Sequence, residues 1–64
     1  MRIDRIKFVT ELVKQDLTLV ELSKKCGVNR VTLSNIKNGK SCRDEIAIKI
    51  ANGLGVDLNK LLEK

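Results

Sequence analysis

A row of side chains between Gly27 and Lys40 has no evident use in a hydrophobic core. Val28, Leu33 and Ile36 recur there near helical spacing and predict the buried face of a helix. The side chains that this buried face leaves out are Arg30, Val31, Ser34, Asn35 and Asn38. Their spacing of one, three and four residues predicts a second, exposed face of the same helix.

The chemistry of this exposed face suits the base edges of the DNA major groove. Arginine pairs with guanine O6 and N7, and asparagine pairs with adenine N6 and N7. Serine can serve several bases, and valine methyl groups can meet the thymine methyl. The competing interpretation is a solvated helix face. Solvated faces favour charged residues such as Glu and Lys, yet this face carries neither Glu nor Asp.

Capping signals predict where this helix and the helix before it begin and end. Thr18 opens a capping-box pattern that begins the preceding helix, and Gly27 can adopt the left-handed conformation that ends it. Asn29 is a good N-cap for the next helix, which should run to about Asn38. Two helices joined by such a short turn predict a helix-turn-helix over about residues 18–38.

Three further helices complete the predicted chain. The first should run from about Ile3 to Lys14. Its predicted buried stripe is Ile3, Ile6, Val9 and Val13, widened by Phe8 and Leu12. A capping box of Ser41 and Asp44 begins the fourth, Gly55 ends it, and Asp57 begins a short fifth. Since no segment alternates with period two, the prediction is five helices and no sheet.

Length and charge narrow the class of protein. The chain has 64 residues, which predicts one domain over 1–64 with little room for an enclosed substrate pocket. Of its net charge of +5, the segment from Leu22 to Arg43 carries six basic residues and no acidic one. Such a one-sided basic segment favours a polyanionic partner, although a solvated lysine-rich face has the same composition.

Several classes of function are disfavoured. The chain has no histidine and only Cys26 and Cys42, which argues against a structural zinc site. Without a histidine base, a Cys/His pair or a glycine-rich phosphate loop, we expect no enzyme, cofactor or small-molecule substrate. The longest uncharged apolar run, LTLV, is too short to span a membrane, and charged residues interrupt any signal peptide. We therefore expect a cytoplasmic protein with reduced thiols.

The stretch LTLVELSKKCGVNRVTLSNIKNGKS, followed by IAIKIANGLGVDLNKLL, resembles the Cro/C1-type helix-turn-helix family of small phage and bacterial repressors. The resemblance covers roughly Leu17 to Leu62, and its markers include Gly27–Val28, Asn38–Gly39–Lys40 and Leu54–Gly55–Val56. It implies a compact, all-helical, five-helix domain of lambda-repressor type. It also implies a repressor of transcription that binds double-stranded DNA as a homodimer, with the helix over 29–38 in the major groove.

Residue roles follow from the resemblance position by position. The positions that match base-contacting residues are Arg30, Val31, Ser34 and Asn35. Those that match phosphate-contacting residues are Asn38, Lys40 and Arg43. A dimer also needs a surface of its own, for which the candidates are Ile48, Leu61 and Leu62. Ile48 could instead pack under the first helix.

One departure from the family raises a second hypothesis. After the Leu-Thr pair the family commonly has polar residues, whereas this chain has Leu19 and Val20. Together with Val31 they could form an apolar patch, and exposed apolar patches often mark protein-binding sites. The chain would then be an antirepressor or modulator that binds a partner repressor through the same face; an antitoxin is a further possibility. RNA binding is the weakest hypothesis, since the only aromatic residue is Phe8.

Overall fold

Four α-helices make up most of the computed structural model, which describes residues 1–63. They are α1 (Arg5–Gln15), α2 (Leu19–Cys26), α3 (Arg30–Lys37) and α4 (Asp44–Leu54). A 3-10 helix follows at Leu58–Lys60. Over these 63 residues there is no strand beyond an isolated antiparallel bridge, so the all-helical prediction is confirmed. None of the helices in this range is long and apolar enough to cross a membrane.

The predicted fifth helix is a single 3-10 turn, so the count of five α-helices is not confirmed. Asp57 caps the turn as expected, accepting a hydrogen bond from the Asn59 amide at 2.9 Å. Leu61 is fully buried, and the next residue, Leu62, pairs in antiparallel fashion with Ile3. The chain is therefore no longer helical after Lys60, because the residues that follow pair with the N-terminal segment.

The first helix begins later than predicted, and it buries a different face from the one predicted. Asp4 is its N-cap and accepts hydrogen bonds from the amides of residues 6 and 7. The helix buries Phe8 and Leu12, whereas Ile6 and Val13 are 64% and 74% exposed. The predicted buried stripe is therefore wrong for Ile6 and Val13. Ile3 is buried as predicted, but it precedes the helix and so does not set which face turns inward.

The start of α4 also differs from its prediction. Its N-cap is Arg43, which forms no side-chain capping bond, and Ser41 is exposed outside the helix. The N-terminus holds this loop instead. The Cys42 amide donates to the Met1 carbonyl at 3.1 Å, and the terminal amino group lies 3.7 Å from the Asp44 carboxylate.

The capping box of α2 is confirmed. Thr18 Oγ1 accepts from the Glu21 amide at 3.2 Å, and Glu21 Oε1 accepts from the Thr18 amide at 3.0 Å. The bond from the Thr18 amide, and a second one that Thr18 Oγ1 donates to Glu21 Oε1 at 3.0 Å, lower the pKa of the Glu21 carboxyl from its ordinary value of 4.5. Because the folded-state pKa is lowered, this contribution to stability is present at neutral pH. It is lost as the pH falls through the lowered value.

One continuous core joins the elements. Its fully or nearly fully buried residues are Ile3, Phe8, Leu12, Leu22, Val28, Leu33, Ile36, Ala47, Ile50, Ala51, Leu54 and Leu61. Helices α2 and α4 approach closely at Gly53: a β-carbon added there would lie 2.6 Å from Cys26 Cβ. Both α2 and α3 are thus fixed on the same core, which sets the direction of the outer face of α3.

Candidate nucleic-acid interface

The turn between α2 and α3 is locked by packing and by a hydrogen bond. Gly27 ends α2 at φ 71°, as predicted, and Asn29 caps α3 by accepting from the Val31 amide at 2.7 Å. Val28 between them is buried, and its carbonyl accepts from Ser23 Oγ at 2.6 Å. Sequence reasoning missed this last bond, for which the small polar side chain at Ser23 was the available signal.

The four predicted base-contacting residues lie together on α3. Leu33 and Ile36 turn into the core, and the opposite side of the helix is open. Arg30 and Val31 are exposed, while Ser34 and Asn35 are half-buried. With Leu19 of α2 they line a surface groove of about 330 Å³. The groove therefore presents one guanidinium, one hydroxyl and one amide beside two apolar side chains.

The turn after α3 presents the predicted phosphate-contacting residues. The Gly39 amide donates to the Ile36 carbonyl at 2.9 Å, and the Lys40 amide donates to the Asn35 carbonyl at 3.0 Å. Gly39 has φ 93°, a conformation that favours glycine and lets the chain reverse here. Asn38 and Lys40 are exposed on this closed turn.

Arg43 follows on the loop into α4. Its side chain is 86% exposed and lies 3.9 Å from the Glu45 carboxylate, which it can leave at little cost. The side chain is therefore available to a polyanion approaching the start of α4.

Two arginines near the N-terminus join this region, and sequence reasoning missed both. Arg2 Nη2 donates to the Gly39 carbonyl at 2.8 Å, and Arg2 Nε lies 3.1 Å from Glu63. Arg5 Cδ lies 3.8 Å from the position that a β-carbon on Gly39 would occupy. The N-terminal segment thus braces the turn after α3 and adds positive charge beside it.

The predicted partner patch is only partly assembled. Leu19 and Val31 line the same groove, although Leu19 is half-buried against the core. Val20 is 43% exposed and does not line that groove. The patch is thus reduced to Val31 with an edge of Leu19.

The predicted dimer surface loses one of its members. Leu61 is fully buried, so it cannot take part, and Leu62 is half-buried while pairing with Ile3. Ile48 is 48% exposed and stays a prediction.

Neither cysteine belongs to the groove on α3. Cys26 and Cys42 are free and half-buried, and both pack against the core. Burial raises the pKa of the Cys42 thiol above its ordinary value of 9.0, so this thiol stays protonated at neutral pH. Within residues 1–63, no three Cys, Asp or Glu side chains come close enough to hold a metal ion.

Comparison with known proteins agrees with this geometry. A family model described as helix-turn-helix matches residues 10–61, a span that contains α2, α3, α4 and the turns between them. No curated protein and no solved structure shows significant similarity to the chain. Because the family match covers most of the chain and the complete helix-turn-helix, the protein belongs to the Cro/C1-type helix-turn-helix family of DNA-binding transcription regulators.

Proposed function

We propose that the protein is a sequence-specific repressor of transcription, of phage or mobile-element type, that inserts α3 into the major groove of double-stranded DNA. The observation that carries the proposal is the outer face of α3, where Arg30, Val31, Ser34 and Asn35 lie side by side. Their apolar neighbours Leu33 and Ile36 turn into the core. The second helix of such a motif is where base-contacting residues are placed.

Each residue has a role that its chemistry allows. Arg30 pairs with a guanine and Asn35 with an adenine, while Val31 meets a thymine methyl and Ser34 accepts or donates to a neighbouring base. Asn38, Lys40 and Arg43 hold backbone phosphates and so fix where α3 sits along the duplex. Their positions on the turn after α3 and on the next loop support this division of roles.

Two copies on a near-palindromic operator would raise both affinity and specificity. One module of this size makes a modest interface with DNA, and paired half-sites one helical turn apart extend it. Ile48 on α4, which is exposed, and Leu62, which is half-buried, are the remaining candidates for the contact between copies. Replacing Ile48 by a charged residue would weaken binding to a two-half-site operator more than binding to one half-site.

The first test is an amide chemical-shift titration of the labelled protein with short duplex DNA at low salt. Even a random duplex should bind with a Kd on the order of 10⁻⁴–10⁻⁶ M near physiological salt, and more tightly below it. We expect shifts concentrated between Asn29 and Arg43. Selection of bound duplexes from a random pool would then define the operator. An absence of shifts, or shifts centred elsewhere, would contradict the proposal.

We expect Arg30→Ala to weaken binding to the selected operator by about 1–3 kcal/mol and to relax discrimination at one base pair. The reason is the loss of a bidentate contact to guanine, which no neighbouring side chain replaces. Arg30→Lys is the matched variant, because it keeps the charge and loses the fork of donors. Equal losses on operator and random DNA would make Arg30 a phosphate ligand.

Lys40→Ala should weaken binding to all DNA sequences alike, because a phosphate contact carries no base information. The slope of log K against log salt should flatten by about one unit. Lys60→Ala serves as the charge-matched control, since this exposed lysine lies on the 3-10 turn. A slope unchanged from the parent protein would remove Lys40 from the interface.

A second candidate function is an antirepressor that binds a partner repressor through the same face. Val31 favours it, because this valine is 65% exposed in the groove that Arg30 and Asn35 also line. Its signature would be activity that survives Arg30→Ala and Lys40→Ala but is abolished by Val31→Glu. The repressor proposal requires that Arg30→Ala and Lys40→Ala reduce activity.

A further inference from the structure

The face of α1 that was expected in the core forms an open apolar surface. Ile6 and Val13 are 64% and 74% exposed, and Val9 between them is half-buried. They line a groove of about 540 Å³ between α1 and the end of α3. The most exposed large apolar side chains among residues 1–63 are Val13, Val31 and Ile6, and two of these three lie here. Contiguous exposed apolar surface on a small domain often marks a protein-binding site.

All of the charged side chains that line this groove are basic. Arg5, Lys14 and Lys37 line it together with the apolar side chains, and none of the described lining residues is acidic. Across residues 1–63, none of these three cations forms an ion pair within the protein. An occupant that brings carboxylates to these three cations and apolar side chains to Ile6, Val9 and Val13 would match both features.

Other occupants match less well. A second copy of the chain meeting this face across a two-fold axis would place each set of three cations against its equivalent. DNA phosphates would pair with the cations but would leave the valines without apolar contacts. A flat anionic bilayer could neutralise the cations, but it would not fill a groove formed by two helices. Helix-in-groove recognition, in which an amphipathic helix lays its apolar face into an apolar groove, matches this surface better.

We propose that the groove over Ile6, Val9 and Val13 binds an acidic amphipathic helix of a partner protein. Apolar side chains at positions i, i+3 or i+4 and i+7 of that helix would cover the valines. Aspartate or glutamate side chains flanking them would pair with Arg5, Lys14 and Lys37. The site is distinct from the groove on α3 that is lined by Arg30 and Asn35.

Occupation of this groove has a consequence for DNA binding, and this consequence alone rests on the proposed function. Asn38 also lines the groove, and it is one of the proposed phosphate-contacting residues. Lys37, next to it, would be neutralised by a partner carboxylate. The acidic helix and duplex DNA should therefore each lower the affinity of the protein for the other by the same factor.

The test begins without DNA and uses a synthetic helical peptide that carries leucines at i, i+3, i+4 and i+7 with flanking glutamates. Titrated into the labelled full-length protein, it should shift the amides of residues 5–14 and 37–38. A peptide with lysines in place of the glutamates, and another with serines in place of the leucines, should bind at least tenfold more weakly. Binding by either control peptide equal to that of the parent peptide would overturn the proposal.

Substitutions in the protein test where the acidic peptide binds. Val13→Ser should weaken binding of the acidic peptide by about tenfold, because it removes apolar contact at an exposed position without disturbing the core. Val20→Ser, the same change at an exposed valine of α2 that lines neither groove, should leave binding unchanged. Shifts centred on Leu19 and Val31, self-association through α1, or binding to phosphatidylserine vesicles in preference to the peptide would each overturn the proposal.

A final measurement separates this docking site from the proposed function. A labelled duplex is displaced with the acidic peptide, and the peptide is displaced with the duplex. Reciprocal displacement supports both proposals. If the protein binds the peptide but not DNA, the proposed docking site is supported and the proposed repressor function is overturned. If it binds DNA but not the peptide, the repressor function is supported and the docking site is overturned.

Discussion

Replacing Phe8 by alanine should remove a large share of the free energy of unfolding at 25 °C. Phe8 is fully buried at the centre of the contact between α1 and the core. A Phe→Ala change at such a site costs about 3–5 kcal/mol. A chain of this length has a free energy of unfolding of only about 3–10 kcal/mol. Urea denaturation followed by circular dichroism would measure the loss, and a midpoint within error of the parent protein would contradict the burial of Phe8.

The control for Phe8 lies on the same helix. Val13 belongs to the stripe that the sequence pattern predicts as buried, but the structure leaves it 74% exposed. Val13→Ala should therefore change the free energy of unfolding by no more than about 0.5 kcal/mol. If Val13→Ala and Phe8→Ala were equally costly, α1 would have to be rotated relative to the described arrangement.

Features set by a few neighbouring residues could be predicted from the sequence. The capping box at Thr18, the left-handed glycines Gly27 and Gly55, and the Asn29 cap all appear where their local patterns place them. Each depends on hydrogen bonds within four residues, so the sequence contains both partners. The helix-turn-helix is built from three of these features, and its two faces could therefore be assigned before the structure was known.

Features set by distant residues could not be predicted in this way. Ile3 lies outside α1 and is buried where it pairs with Leu62 near the other end of the chain, so its burial does not show which face of the helix turns inward. The failure of Ser41 to cap α4 goes with the bond from Cys42 to Met1. The local sequence of these segments is compatible with more than one buried face or N-cap. Contacts between residues that are distant in the chain determine which of these the protein adopts.

The same distinction applies to the candidate interface. The outer face of α3 follows from which residues of that helix the core uses, so four side chains could be placed together from their spacing. The hydrogen bond from Arg2 to Gly39 joins residues 37 positions apart, and no local signal pairs them. The sequence predicts Leu61 on a dimer surface, but the structure buries it, because helical spacing alone does not show which side of a terminal turn the core covers.

The second large effect should come from Gly53, where α2 and α4 are in closest contact. A β-carbon there would lie 2.6 Å from Cys26 Cβ and 3.2 Å from Cys26 Cα. Because one of these atoms is backbone, α2 would have to move rather than rotate a side chain. We expect Gly53→Val to lower the free energy of unfolding by about 3 kcal/mol, at the upper end of the range for overpacked cores.

Two further variants separate this steric effect from other causes. Asn52→Val places the same branched residue at the neighbouring exposed position of α4, so it reports the intrinsic cost of valine in this helix. Gly53→Ala isolates the β-carbon, and Cys26→Gly removes the nearest atom that this β-carbon would meet. The loss in the free energy of unfolding of the double variant Cys26→Gly/Gly53→Ala should be smaller than the sum of the losses of the two single variants. Strict additivity would mean that α2 and α4 already have room at Gly53.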